Sequence, residues 1–126
     1  MRWIFHGSSI DNLHVINPSV SLHGQAYVYG VLNKNDALWY CADFKGLVDD
    51  NMLIDDRKLK MHYAGKCGYI YMLEKTNFEY DPIIRHWISP VSVNVINCEK
   101  IEDIYEKMAS IPNFFNIKLE QINGKA

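Results

Sequence analysis

The sequence predicts an α+β fold built on a mostly antiparallel sheet. Three observations carry the prediction. Short stretches with strand-like alternation or β-branched and aromatic content recur along the chain. Helical periodicity is confined to two stretches, around Ala37–Phe44 and Ile101–Met108. Strands and helices do not alternate regularly, which argues against a parallel, doubly wound sheet.

The first strand is expected over Arg2–His6. Trp3 and Phe5 fall on one face, Ile4 and His6 on the other, and Gly7-Ser8-Ser9 ends it. Ile10–Leu22 reads as connecting chain with a turn at Asn17-Pro18-Ser19. His14 and His23 have no partner at metal-ligand spacing. Ala26–Val31 is the second strand, broken by Asn33-Lys34-Asn35-Asp36. A helix follows directly. Asn35 or Asp36 serves as its N-cap, and Ala37, Tyr40, Cys41 and Phe44 recur at i, i+3, i+4 and i+7.

Gly46–Asp56 reads as a solvated loop. Its acids (Asp49, Asp50, Asp55, Asp56) lack the glycine that an EF-hand loop needs at its sharp turn. Arg57–Ala64 alternates, with Leu59, Met61 and Tyr63 apolar, and predicts a half-exposed strand. Gly65-Lys66 turns it into a strand over Cys67–Leu73, the pair forming a hairpin. Thr76–Pro82 is expected to be irregular and Ile83–Ile88 extended. Val91, Val93 and Val95 alternate with Ser92 and Asn94 as a further strand. Ile101, Ile104, Tyr105 and Met108 mark an amphipathic helix over Glu99–Ser110, ended by Pro112. Phe115, Ile117, Leu119 and Gln121 give a final strand.

At 126 residues the chain is a single domain, 1–126, with room for one core. An apolar fraction of 48% and a charged fraction of 22% are those of a globular protein. The net charge of −2 gives no electrostatic footprint for extended nucleic-acid binding. No apolar run approaches the roughly 18 residues of a membrane span. Met1–His6 lacks the apolar core and cleavage site of a signal peptide. The cysteines Cys41, Cys67 and Cys98 are odd in number and far apart, which suits free thiols and a cytoplasmic location.

Much chemistry is excluded. The chain has no phosphate loop or GxGxxG. It has no zinc-spaced Cys or His set, no GxSxG elbow and no cysteine in a nucleophile context. Two features remain. A strand that turns directly into a helix can place Tyr29 and Tyr40, ten residues apart, on one pocket wall, where they would sandwich a flat heterocycle. The alternative is that both are core residues, since the chain has eight tyrosines. His6-Gly7-Ser8 offers a fixed imidazole, a bare peptide edge that a ligand can approach at Gly7, and a hydroxyl. That set suits a ribose. Its alternative is a strand-end histidine bonded to a nearby carbonyl.

In this order, the two features resemble the ADP-ribosyltransferase superfamily, in its diphtheria-toxin and poly-ADP-ribose-polymerase branch. An opening strand ending in aromatic-His-Gly-Ser resembles the motif that holds the adenosine-side portion of NAD. Tyr29, the turn, Ala37 and Tyr40 resemble the motif whose two tyrosines stack on nicotinamide. Trp87-Ile88-Ser89-Pro90-Val91-Ser92-Val93 is similar to a segment of small bacterial and phage members. The resemblance covers residues 2–44 well and 69–96 loosely. It implies an ADP-ribosyltransferase-like fold and NAD as substrate, bound by His6, Gly7, Ser8, Tyr29 and Tyr40. The nicotinamide–ribose bond would be cleaved and ADP-ribose passed to a protein, nucleic acid, small molecule or water.

The chain departs from the family at one position. Transferring members carry a glutamate where this sequence has His86. A neutral imidazole does not offset an oxocarbenium charge as a carboxylate does, a loss of about 3–4 kcal/mol. His86 or Glu74 is then expected nearest the reacting carbon, with Glu79 a further neighbour in sequence. The departure also leaves open a catalytically silent NAD- or ADP-ribose-binding or protein-interaction module. A third possibility is an enzyme like the RNA 2′-phosphotransferases, which work without that glutamate and would use Arg57, Lys60 and Arg85 on a phosphate.

Overall fold

The computed structural model describes residues 3–20, 25–48 and 54–116. In chain order the strands are β1 (Trp3–Ser8), β2 (Val15–Ile16), β3 (Ser19–Val20), β4 (Ala26–Gly30), β5 (Gly68–Glu74), β6 (Glu79–Asp81), β7 (His86–Ser89) and β8 (Val93–Ile101). The helices are a 3₁₀ segment, Lys34–Tyr40, then α1 (Phe44–Val48), α2 (Asp56–Tyr63) and α3 (Ile104–Ala109). A further short helical stretch covers 114–116. The strands form two four-stranded sheets, β1-β5-β8-β2 and β3-β4-β7-β6, and every strand pair is antiparallel. The α+β class is therefore as expected.

β5 is buried on both faces, as its near-continuous apolar sequence requires. Ile70 turns toward Trp39, Leu59, Tyr63, Ile104 and Met108 of the helical side. Tyr71 and Leu73 turn toward Ile4, Val28, Phe78 and Val93, which fill the space between the sheets. The two sheets meet where Phe5 pairs with Val31 through two backbone hydrogen bonds, N–H to O distances of 2.8 and 2.9 Å. Beside that bridge a Cβ on Gly30 would stand 2.2 Å from Ile4 Cγ2, so only glycine lets the strands close there.

Several expectations are corrected. β1 runs on through Gly7 to Ser8 instead of stopping at His6. The segment after β4 is a 3₁₀ helix capped by the Asn33 side chain, which accepts from Asn35 N–H, and α1 is separate from it. Arg57–Ala64 is not a strand, nor half of a hairpin. It is α2, begun by the Asp55 carboxylate accepting from Lys58 N–H. Leu59 and Tyr63, four residues apart, face the core while Met61 points to solvent. The edge strand β6 lies within the segment expected to be irregular. Extended structure begins at His86, not at Ile83.

β8 runs to Ile101 and leaves α3 to begin at Ile104 behind an Asp103 cap, later than the expected helix start. Phe115 lies in the helical stretch 114–116 and not in a strand. Ile117, Leu119 and Gln121 lie outside the described residues, as do Arg2, Leu22, His23, Asp49 and Asp50. Among the described residues no helix is long and apolar enough to cross a membrane.

Candidate functional site

The bridge at Phe5–Val31 sets the site. Beyond it β1 and β4 part, and the His6 side chain spans the gap, its Nδ1 lying 2.7 Å from the Tyr29 carbonyl oxygen. A carbonyl only accepts, so Nδ1 carries the proton and Nε2 keeps its lone pair. His6 therefore makes the contact to a carbonyl, from within the strand and not from its end, and it does so at Tyr29 itself. The contact ties together the two elements that carry the opposed features of the sequence. Ser8 closes the following turn, its Oγ accepting from Ile10 N–H at 3.0 Å.

Alternation along β4 and β7 decides which side chains share a face. Tyr29 pairs with Ile88, which pairs in turn with Glu79. Asp81 pairs with His86. Directly opposed residues in antiparallel strands project to the same side. Tyr29, Ile88, Glu79, His86 and Asp81 thus share the outer face of the second sheet. Tyr27 joins them, its ring edge-on to Tyr29 at 5.9 Å between centroids.

The 3₁₀ segment brings Tyr40 to this face. The His86 ring contacts both tyrosines, its centroid 6.2 Å from that of Tyr29 and 5.2 Å from that of Tyr40, near-perpendicular to each. The ring is held by Nδ1, 3.0 Å from the Ile84 carbonyl. The Tyr29 hydroxyl donates to the Gln25 carbonyl at 2.8 Å, which fixes the ring at the strand's start. Tyr40 packs partly against the helical core. Burial, and secondarily the Asp36 carboxylate, push its phenol up to about 12, so it is a neutral aromatic surface at any ordinary pH.

Sequence expectations fare unequally here. His6, Tyr29, Tyr40 and His86 are brought together. Gly7 is not a bare edge for a ligand: a Cβ there would stand 2.1 Å from the Ala37 carbonyl oxygen and 3.1 Å from Cys41 N. The 3₁₀ segment itself occupies that face of β1. Glu74 lies apart from the aromatic cluster. It pairs with Trp3 at the opposite end of β1, three residues from the His6–Tyr71 pair. Arg57 and Lys60 stand on α2, where Lys60 reaches Asp56 and the Tyr105 ring. Arg85 stands at positive φ in the turn before His86.

Asp81 had no part in the sequence reading. It is the cross-strand neighbour of His86, and its Oδ1 accepts from Ile83 N–H at 2.9 Å and Ile84 N–H at 3.4 Å. The Asp-Pro step signals a turn, but its pairing with His86 needs the register. Burial pushes the Cys41 thiol up to about 11, which removes it as a nucleophile at neutral pH. Among the described residues no group of three or more His, Cys, Asp or Glu side chains is placed to hold a metal ion. No protein-family model, curated protein or solved structure matches this chain.

Burial holds the partly buried His6 imidazole below its usual 6.5, against the opposing pull of its hydrogen bond to the Tyr29 carbonyl. The folded state then binds fewer protons here than the unfolded chain does. The contribution to stability is full above the unfolded value and is lost as pH falls through the folded one. Resistance to urea is expected to drop as pH falls below 6.5, with at most about 1.4 kcal/mol per pH unit coming from this group. His6→Gln is expected to show the shallower slope. Equal slopes would place the pH dependence elsewhere.

Proposed function

We propose that this chain is an NAD-binding protein of the ADP-ribosyltransferase kind. It would hold nicotinamide against Tyr29 and Tyr40, cleave the nicotinamide–ribose bond and pass ADP-ribose to an acceptor. The reading rests on one observation above all. Three separate elements bring Tyr29, Tyr40 and His86 into ring contact on one face, with His6 bonded to the backbone of Tyr29. Core packing alone does not ask for this. Tyr29 and His86 are only partly buried and stand on a sheet face outside both apolar clusters. His6 Nε2 and the Ser8 hydroxyl would take ribose hydroxyls. The acceptor class remains the set named above, and free thiols at Cys41, Cys67 and Cys98 support residence in the cytoplasm.

Titrating NAD in a thermal melt tests the reading. At a hundredfold excess over Kd, binding adds about 2.7 kcal/mol to the folded state. Tyr29→Leu keeps apolar bulk and removes the aromatic face. It is expected to weaken NAD by about 5- to 150-fold, the worth of roughly 1–3 kcal/mol for one stacked base. Tyr29→Phe is expected to retain binding. An unshifted melt in the unaltered protein would overturn the proposal. Binding without turnover is the second reading, favoured by His86 standing where the resemblance calls for a glutamate. Sustained nicotinamide release would exclude it.

A further inference from the structure

We infer that Asp81 is a positioning residue for His86: it builds the turn whose Ile84 carbonyl fixes the proton of the His86 ring on Nδ1. The inference does not require the NAD reading. It concerns which nitrogen of the imidazole donates and which accepts on the aromatic face, whatever that face binds.

Residues 82–85 join β6 to β7, and Asp81 holds this turn at three points. Its Oδ1 accepts from Ile83 N–H at 2.9 Å and, at longer range, from Ile84 N–H at 3.4 Å. Its backbone carbonyl accepts from Arg85 N–H at 2.8 Å. The last of these bonds orients a peptide group. The peptide between Ile84 and Arg85 is trans, and in a trans peptide the N–H and the C=O point in opposite directions. With the Arg85 N–H turned in to Asp81, the Ile84 carbonyl is turned out. Arg85 completes the turn at a φ of 57°, a conformation that residues with a side chain seldom take.

The Ile84 carbonyl then meets His86 Nδ1 at 3.0 Å. A carbonyl only accepts, so Nδ1 carries the proton and the neutral ring keeps its lone pair on Nε2. The same bond fixes the ring plane, and with it the near-perpendicular contacts to Tyr29 and Tyr40. His86 therefore enters the aromatic face as an acceptor at Nε2 and not as a donor. Asp81 is also the cross-strand partner of His86, so its charge is the rival explanation. The bonding favours the turn: Oδ1 is committed to backbone amides, and it is a carbonyl that meets Nδ1.

The ring-nitrogen resonances of His86 distinguish the two neutral tautomers. They are read in nitrogen-labelled protein at a pH where the ring is neutral. The Nδ1–H form is expected to prevail in the unaltered protein. In Asp81→Ala its ratio to the Nε2–H form is expected to fall about 5- to 10-fold, the worth of one ordinary hydrogen bond. Asp81→Asn keeps an Oδ1 acceptor without the charge and is expected to keep the ratio. A prevailing Nε2–H form in the unaltered protein would overturn the inference, whatever the variants do. So would an unchanged ratio in Asp81→Ala. Loss of the Nδ1–H form in Asp81→Asn would give the role to the charge and overturn it equally, even if Asp81→Ala did not fold. An unshifted NAD melt removes the function proposed above and leaves this inference in place.

Discussion

Trp39→Ala is expected to cost about 3–5 kcal/mol of folding stability, much of what a domain of this size has. Trp39 is 1% exposed. Its indole stacks on Phe114 at 5.2 Å and 9°, and meets Tyr63, Phe44 and Phe115 edge-on. Its carbonyl accepts the buried Tyr63 hydroxyl at 2.8 Å. Three other elements thus converge on one side chain. The cavity left by truncation would be ringed by aromatics that cannot all move inward together. The 3₁₀ segment that carries Trp39 inward carries Tyr40 outward, toward His86. Loss of the anchor is therefore expected to loosen the candidate site as well as the core. Urea melts read the first effect through the midpoint at unchanged slope. Trp39→Phe, with a smaller void, is expected to lose clearly less; equal losses would mean that packing around the indole is not what matters.

Gly7→Ala is expected to be nearly as damaging, about 3 kcal/mol, at the upper end of the usual range for overpacking. The added methyl would meet the Ala37 carbonyl oxygen at 2.1 Å and backbone atoms of Tyr40 and Cys41 at 3.1 Å. These are main-chain atoms, so no rotamer change relieves the clash. Either β1 or the 3₁₀ segment must move. The competing view, that Gly7 is small so that a ligand can reach the peptide, makes the opposite forecast: an ordinary melt and a loss confined to NAD affinity. One pair of melts, with and without NAD, separates them.

Gly7 also shows what a sequence can and cannot disclose. A glycine after a strand histidine is equally consistent with ligand access and with close packing of another element. The choice depends on Ala37, thirty residues away. Local signals were legible where one pattern had one cause. The alternation of Trp3, Ile4, Phe5 and His6 placed Ile4 and His6 on a common face, and the strand-turn-helix around Tyr29 and Tyr40 was visible from its break at Asn33–Asp36. Leu59, Met61 and Tyr63 misled because residues four apart satisfy both periods. The Asp55 cap and the exposure of Met61 decide for a helix. The row from Tyr29 to Glu79 was out of reach altogether. It depends on two strand registers, and no single stretch of sequence encodes either one. The sequence places Glu74 beside the reacting carbon, and the register sends it to the other sheet.

The pairing of β1 with β5 has a consequence for how the protein is made. β1 is synthesised before the strands it pairs with: its main partner begins at Gly68, and its bridge to the second sheet waits for Val31. A nascent chain emerges at about 5–20 residues per second. For several seconds the opening strand, with His6, has no long partner on the ribosome. His6, Tyr29, Tyr40 and His86 span most of the described chain, so the aromatic cluster cannot exist until β7 has emerged. Contacts this distant in sequence also place the protein among slow-folding topologies, in which loops must close before they are rewarded. A fragment that stops short of β7 would therefore carry both tyrosines and no site.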